Sequence, residues 1–467
     1  MMSCKKDFIQ LTPVSTVTID QLYKTDKDFQ DAVIGGYNGL GTLYQSFWIF
    51  GDLRSDDSRQ EVPGNIANVI VDNFSMASDA ASLNTAWQNY YSTIYRCNLI
   101  LNKIATADVA VVKNKNRDIG EAEFIRALCY FDLVRIFGDV PEITTPVTID
   151  QAYKIGRTAT DKIYTDVIIK DLSDAQNKLP VKYTGTDVGR ATQGAAKALL
   201  GKAYLYRKDF ANAETKLQEV TTLGYALLPN YNSLFDYTKD EHHSEYIFDI
   251  EYEQGISLGS NFTNTFCPNS AAMGKFYGVV GTLNESNSPT DSLRAAFDPA
   301  DLRKDISVGV KGGWIDGTGT FVPLLATTSL DYTKKYLTSE PAFNDSRANW
   351  KVIRYADVLL MYAEALNENG KTVQAIGYLN QVHTRAGLTA LPTTLSQDDA
   401  RQKIYLERRL ELAFEGQRWF DLVRTGRAFS ILQKSGMLPY MTVFPIPLSQ
   451  IQLVNNLSIF PQNQGYF

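Results

Sequence analysis

Two helical hairpins with matching internal offsets constrain this chain more than any other feature. In Ala191 to Leu223, the residues Leu200, Gly201, Tyr204, Ala213, Leu217 and Val220 take the small and large positions of a tetratricopeptide repeat. In Val352 to Arg385, Ala363, Leu366, Ala375, Leu379 and Val382 fall at the same offsets. Small residues at the centre of the first helix and the start of the second let two antiparallel helices approach closely. Trp87, Tyr90, Tyr91 and Ile94 give a third, looser match within a pair spanning Leu83 to Ile104 and Lys115 to Phe137. Such a unit cannot bury its apolar face alone, so each pair must stack on the next.

Other segments fit around this frame. Phe29, Val33, Tyr37, Leu40, Tyr44 and Phe47 recur at steps of three and four, predicting one amphipathic helix over Asp28 to Phe50. Gly51 to Asn65 is polar and turn-rich and is expected to be an exposed loop. Thr160 to Leu179 predicts a helix that stops before Pro180. From about 225 to 350 the period is lost: Tyr246 to Tyr252 alternates like a strand, and the remainder is rich in Gly, Asn, Ser, Thr and aromatics. The expected fold is mostly α: a tetratricopeptide-like helical-repeat scaffold, an α-α superhelix, with a large insertion of loops and short strands. Its repeat helices are placed at about 83–223 and 352–426, with one domain over 21–467 and a tether over 1–20.

Composition removes several functional classes. With 467 residues and 44% hydrophobic content, the chain can bury a sizeable core. A net charge of -6 without a basic cluster leaves no electrostatic footprint for nucleic acid. No apolar run reaches the ~18 residues of a membrane-spanning helix. The four cysteines are far apart and form no CxxC, so no zinc site is expected, and Cys97 and Cys129 read as buried thiols. Cys4 differs: it follows Ser3 and precedes Lys5 and Lys6, which is how a bacterial lipoprotein begins once its signal peptide is removed.

Three constellations resemble catalytic sites. Gly255 to Gly259 matches G-x-S-x-G, but a nucleophile elbow needs a helix starting at Ser257, and the polar sequence that follows contains Pro268. His242 and His243 are adjacent, with no HExxH pattern to make a metal site, and are expected on a solvated loop. Glu407, Glu411 and Glu415 recur every four residues, as a glycosidase pair would allow. Arg408, Arg409, Arg418 and Arg424 lie nearby, among Leu406, Leu410, Phe414, Trp419 and Phe420. The expectation is therefore a half-buried ion-pair scaffold rather than catalysis.

Candidate ligand-binding residues are sought among the aromatics, 12% of the chain. Trp48 is off the first helical stripe beside the polar loop, and Trp314 sits between glycines in KGGWIDGTGT. Exposed indoles suit stacking on a sugar ring. Phe276 and Tyr277 rank next.

The ordered segments resemble the SusD/RagB family of outer-membrane nutrient-binding lipoproteins over nearly the whole chain. Resemblance is carried by SCKKDF at the start and by Ile94–Ile104 and Gly120–Ile143. It continues through Gly189–Ala213, Ile353–Gly370 and Leu379–Leu388 to ERRLELAFEGQRWFDLVRTG (Glu407–Gly426) and FPIPLSQI (Phe444–Ile451). It implies a non-enzymatic protein, lipidated on Cys4, facing outward from the outer membrane. Such a protein needs no cofactor or metal and passes oligosaccharide or polysaccharide to a SusC-like TonB-dependent transporter. Trp48, Trp314 and Tyr277 would then be stacking platforms, and Arg54, Asp56 and Asp57, with Asp52 less favoured, would bond hydroxyls. A family member or repeat scaffold that captures peptides is the alternative.

Overall fold

In the computed structural model, Thr25 opens the first long helix. Its hydroxyl accepts from the Asp28 amide at 3.2 Å, while the Asp28 carboxylate accepts from the Thr25 amide at 2.8 Å, a reciprocal capping box. The structure describes residues 22–60, 65–237, 241–309, 313–315, 321–323 and 331–467, with 313–315 and 321–323 given by backbone alone. Cys4 and the tether lie outside the described residues.

Helix α1 (Asp26–Tyr44) buries Phe29, Val33, Leu40 and Tyr44 of the expected stripe, with Leu43 beside them and Tyr37 half-buried. It ends earlier than its periodicity predicts. The chain turns at Gln45 and Ser46 and resumes as a wide π-helical turn over Ile49–Leu53. Backbone contact explains the change of course: a Cβ added to Gly51 would lie 2.4 Å from the Gly416 carbonyl oxygen, so only glycine permits this approach.

Then follow α2 (Ala81–Ala105), α3 (Lys115–Phe137), α4 (Lys170–Lys178), α5 (Gln193–Tyr206) and α6 (Phe210–Thr221). After the irregular region come α7 (Tyr355–Glu368), α8 (Thr372–Arg385), α9 (Gln397–Glu411) and α10 (Arg418–Arg424). The expected helix at Thr160 to Leu179 is a short α turn, a π segment at Tyr164–Ile169 and then α4. Each helix packs on its successor from α1 to α6, α6 packs on α7, and α7 packs on α8 and α9. This is the stacked-repeat scaffold. Within the α5–α6 hairpin an added Cβ on Gly201 would sit 2.7 Å from Leu217 Cγ, the close approach that the small repeat position predicts.

Among the described residues, six short strands form three antiparallel pairs. β1 (Ser58–Arg59) pairs with β3 (Ser288–Pro289), β2 (Tyr246–Ile250) with β6 (Trp350–Arg354), and β4 (Gly313–Ile315) with β5 (Phe321–Pro323). The alternation in β2 does not give one wet face, because Ile247, Phe248, Asp249 and Ile250 are all buried between the first helices and the loops. The irregular region has an aromatic core of its own. Tyr336 stacks on Trp350 at 5.2 Å, Phe262 packs against both rings, and Phe266 packs against Tyr336. Packing thus absorbs many of the aromatics.

Candidate functional site: the loop-bearing face

The charge-rich run Tyr405–Gly426 is largely interior. Helix α9 ends at Glu411, so Glu415 follows in the turn rather than on the same helical face. Glu407 meets Arg303 at 2.6 Å and His383 at 2.8 Å, Glu411 meets Arg303 at 2.9 Å as well as Arg354 and Arg385, and Glu415 meets Lys335 and Arg354, both at 2.8 Å. Burial alone would raise the Glu411 carboxyl, but the Arg385, Arg354 and Arg303 guanidinium groups more than offset it and hold it below the usual glutamate value. Against burial, Arg354 and Lys335 likewise hold the Glu415 carboxyl below its usual value, and all three glutamates are taken up by structural partners.

The arginines of the run are not those partners, contrary to expectation. Arg408 binds Asp357 and Asp421, Arg424 binds Glu364 and Asp421, Arg409 binds Asp57 at 2.6 Å, and Arg418 binds Asp56 at 2.7 Å. The loop after α1 is therefore interior, not exposed. Residues Gly51–Asp57 are largely buried, and Asp52 accepts from the Gly416 amide at 2.8 Å. Burial pushes the Asp52 carboxyl up to about 8, helped by the neighbouring Asp57 and opposed by the Gly416 amide, Asn287 and Lys335.

Most of the candidate glycan ligands are corrected by this packing. Trp48 is 4% exposed and meets Phe266 edge-on at 5.5 Å, so neither indole face is open. Arg54 is wedged among Phe74, Trp419 and Phe444, with the Met441 carbonyl at 3.1 Å and the Tyr466 hydroxyl at 2.9 Å. Asp56 and Asp57 are held by Arg409 and Arg418. Tyr277 is buried with its hydroxyl 2.9 Å from that of Tyr332, while Phe276 is half-buried against it. Trp314 lies on β4, and its side chain is outside the described residues.

What the face does present is a surface row absent from the sequence reading. Arg59 on β1 lies 3.9 Å from Asp291, Arg294 bonds Asp291 at 2.7 Å, and Arg294 also reaches Asp331 at 2.7 Å. Asp291 and Arg294 sit three apart on a short helix capped by Thr290, a signal that was available. Gly309 and Asp331 flank the segment that carries β4 and β5. Both ends meet at Tyr332, whose carbonyl oxygen would lie 2.7 Å from a Cβ on Gly309. The root of the Trp314 hairpin thus stands beside the charged row and the Tyr277–Tyr332 pair. Phe343, 53% exposed with its ring against Gly281, is a further open aromatic on the irregular region.

Catalytic geometry does not assemble around the sequence motifs. After Ser257 the chain turns back, pairing Leu258 with Glu253, instead of entering a helix. His242 bonds Glu251 at 2.8 Å and lies edge-on to Tyr246. Among the described residues no group of three or more His, Cys, Asp or Glu side chains is placed to hold a metal ion. Among them, too, no helix is long and apolar enough to cross a membrane.

The fold and face define a helical-repeat scaffold that displays an irregular loop surface. The chain belongs to the SusD/RagB family. The SusD family model matches residues 238–437, and a model described as starch-binding associating with outer membrane matches residues 20–205. The SusD-like protein P25 of Formosa agariphila is 28% identical, covering 97% of this chain and 94% of its own length. A SusD-like protein of Bacteroides ovatus is 26% identical, over 90% of this chain and 79% of its own. A solved laminarin-binding SusD-like protein superposes with a TM-score of 0.79 at 28% identity, covering 95% of this chain and all of that one. The surface glycan-binding protein A of Bacteroides thetaiotaomicron, solved with laminarihexaose, has a TM-score of 0.78 at 21% identity and shares the fold.

Proposed function

We propose that this protein captures oligosaccharide or polysaccharide on its loop-bearing face without chemical conversion. It would pass the glycan to a SusC-like TonB-dependent transporter while held to the outside of the outer membrane by lipid on Cys4. The observation that supports this reading best is full-length similarity to a laminarin-binding protein, above the level that reflects fold alone. The Arg59–Asp291–Arg294–Asp331 row supplies polar groups for hydroxyls, and Trp314 is the remaining candidate stacking platform. Phe276 is a secondary one. Retention on affinity gels across a polysaccharide panel, with Trp314→Ala as the variant, tests the site. Copurification of a TonB-dependent transporter tests the partner. Binding of peptides but no polysaccharide would replace the glycan with the peptide alternative, and glycan hydrolysis would overturn the non-enzymatic assignment.

A further inference from the structure

Two clefts, of about 820 Å³ and about 800 Å³, share the segment Thr186–Arg190 as a common wall. Neither lining includes the Arg59–Asp291–Arg294–Asp331 row, Phe276, Tyr277, Tyr332 or Phe343. The floor of the first is a stripe of α1 formed by Ile34, Gly35, Asn38, Gly41, Thr42 and Gln45, spaced as one helical face. Its glycines keep the floor low, and Asn38 and Thr42 are exposed. The second is walled by the rings of Tyr183, Tyr225 and Tyr246, with His242 at its edge. Between the clefts the Tyr246 hydroxyl donates to the Gly189 carbonyl at 3.1 Å, and the Glu251 carboxylate lies 3.2 Å from that hydroxyl.

Charge along both clefts is largely cancelled internally. Arg190 meets Glu121 at 3.0 Å, Asp249 meets Lys351 at 2.8 Å, Glu251 meets His242 at 2.8 Å, and Asp31 meets Lys27 at 2.6 Å. Lys182 stands exposed at one end. A polyanion would find no row of cations here. Amide and hydroxyl groups alternate instead with apolar surface, including Ile34 and Leu258, each about half exposed. That lining suits a neutral chain with hydroxyl edges and C–H faces, and each volume lies in the range of about 300–1,000 Å³ usual for ligand sites.

We propose that the two clefts form one extended groove that binds neutral oligosaccharide, as a second site independent of the Trp314 face. The choice of saccharide among neutral polymers rests on the function proposed above; the groove itself does not.

Gly35 offers the test. A Cβ added there meets nothing within 4 Å, so Gly35→Arg fills the cleft without disturbing the interior, and Gly35→Ala is the matched control. Asn38→Arg blocks the same floor from an exposed position. The probes are laminarin, starch and xylan as neutral polysaccharides and alginate as an anionic one, in affinity gels, with laminarihexaose stoichiometry by calorimetry. Either arginine variant should weaken retention by a neutral polysaccharide about tenfold, with an unchanged thermal midpoint, while Gly35→Ala binds as wild type. Retention that neither arginine variant changes, retention by alginate alone, or no retention by any neutral polysaccharide overturns the groove. Loss in Trp314→Ala alone leaves the loop-bearing face and removes the groove; loss in the arginine variants alone does the reverse.

Discussion

Arg418 and Asp56 meet as a two-point fork, Nε to Oδ1 at 2.7 Å and Nη2 to Oδ2 at 2.8 Å, although 362 positions separate them in the chain. With Arg409 on Asp57, this fork ties the segment after the first helix to the last helices of the scaffold. The charges that look most available for chemistry in the sequence are therefore the ones that close the fold.

Arg354 is the centre of the interior ion network, bonding Glu245, Glu411 and Glu415. Arg354→Met keeps the length and apolar bulk but leaves buried carboxylates short of a cation. Urea unfolding should show a loss of about 3–5 kcal/mol, the range for breaking a buried pair from one side. A loss within experimental error would mean that the network does not support the fold.

Asp52 should make stability depend on pH. Its carboxyl keeps its proton to about 8 in the folded protein, whereas an unfolded aspartate releases it near 4. The stability it contributes is complete below the unfolded value and is lost as pH rises through about 8. Asp52→Asn removes that term and retains an oxygen for the Gly416 amide. Thermal midpoints at about pH 6 and about pH 9 should therefore lie closer together in the variant than in wild type. An equal gap would show that Asp52 titrates normally.

Trp48 and Trp314 should separate stability from binding. Trp48→Ala opens a void beside Phe266 and should cost about 3–5 kcal/mol in chemical denaturation, with glycan retention by the folded protein unchanged. Trp314→Ala should weaken retention by about 1–3 kcal/mol. If Trp48→Ala abolishes binding in protein that is still folded, its indole does contact the ligand.

The contact between Gly51 and Gly416 should tolerate no side chain. Gly51→Ala places a methyl group against the Gly416 backbone and should lower stability by about 1–3 kcal/mol, read from the denaturation midpoint. A wild-type midpoint would show that the two segments separate at no cost.

Local pattern carried the scaffold: the stripe of α1, the Gly201 approach and the repeat offsets are all decided within a few turns of helix, so sequence periodicity reports them. It failed where distant segments decide. The helix was extended past Gln45 because Phe47 continues the stripe, yet the Gly416 backbone redirects the chain there. Gly51 to Asp57 reads as solvated because nothing local reveals the guanidinium groups that cover Asp56 and Asp57. Trp48 looked open for the same reason. The Asp291–Arg294 spacing is local and readable, but the place of Arg59 beside it depends on the β1–β3 pairing, which two-residue strands scarcely signal.

The Gly51–Gly416 contact also bears on the order in which the molecule is made. Synthesis delivers α1 and Asp52 early, while the surface against which they settle arrives in the last tenth or so of the chain. Early helices can gather as they emerge, but Asp56 and Asp57 must wait for Arg409 and Arg418. A chain cut short before Arg409 keeps both of these early carboxylates unmatched.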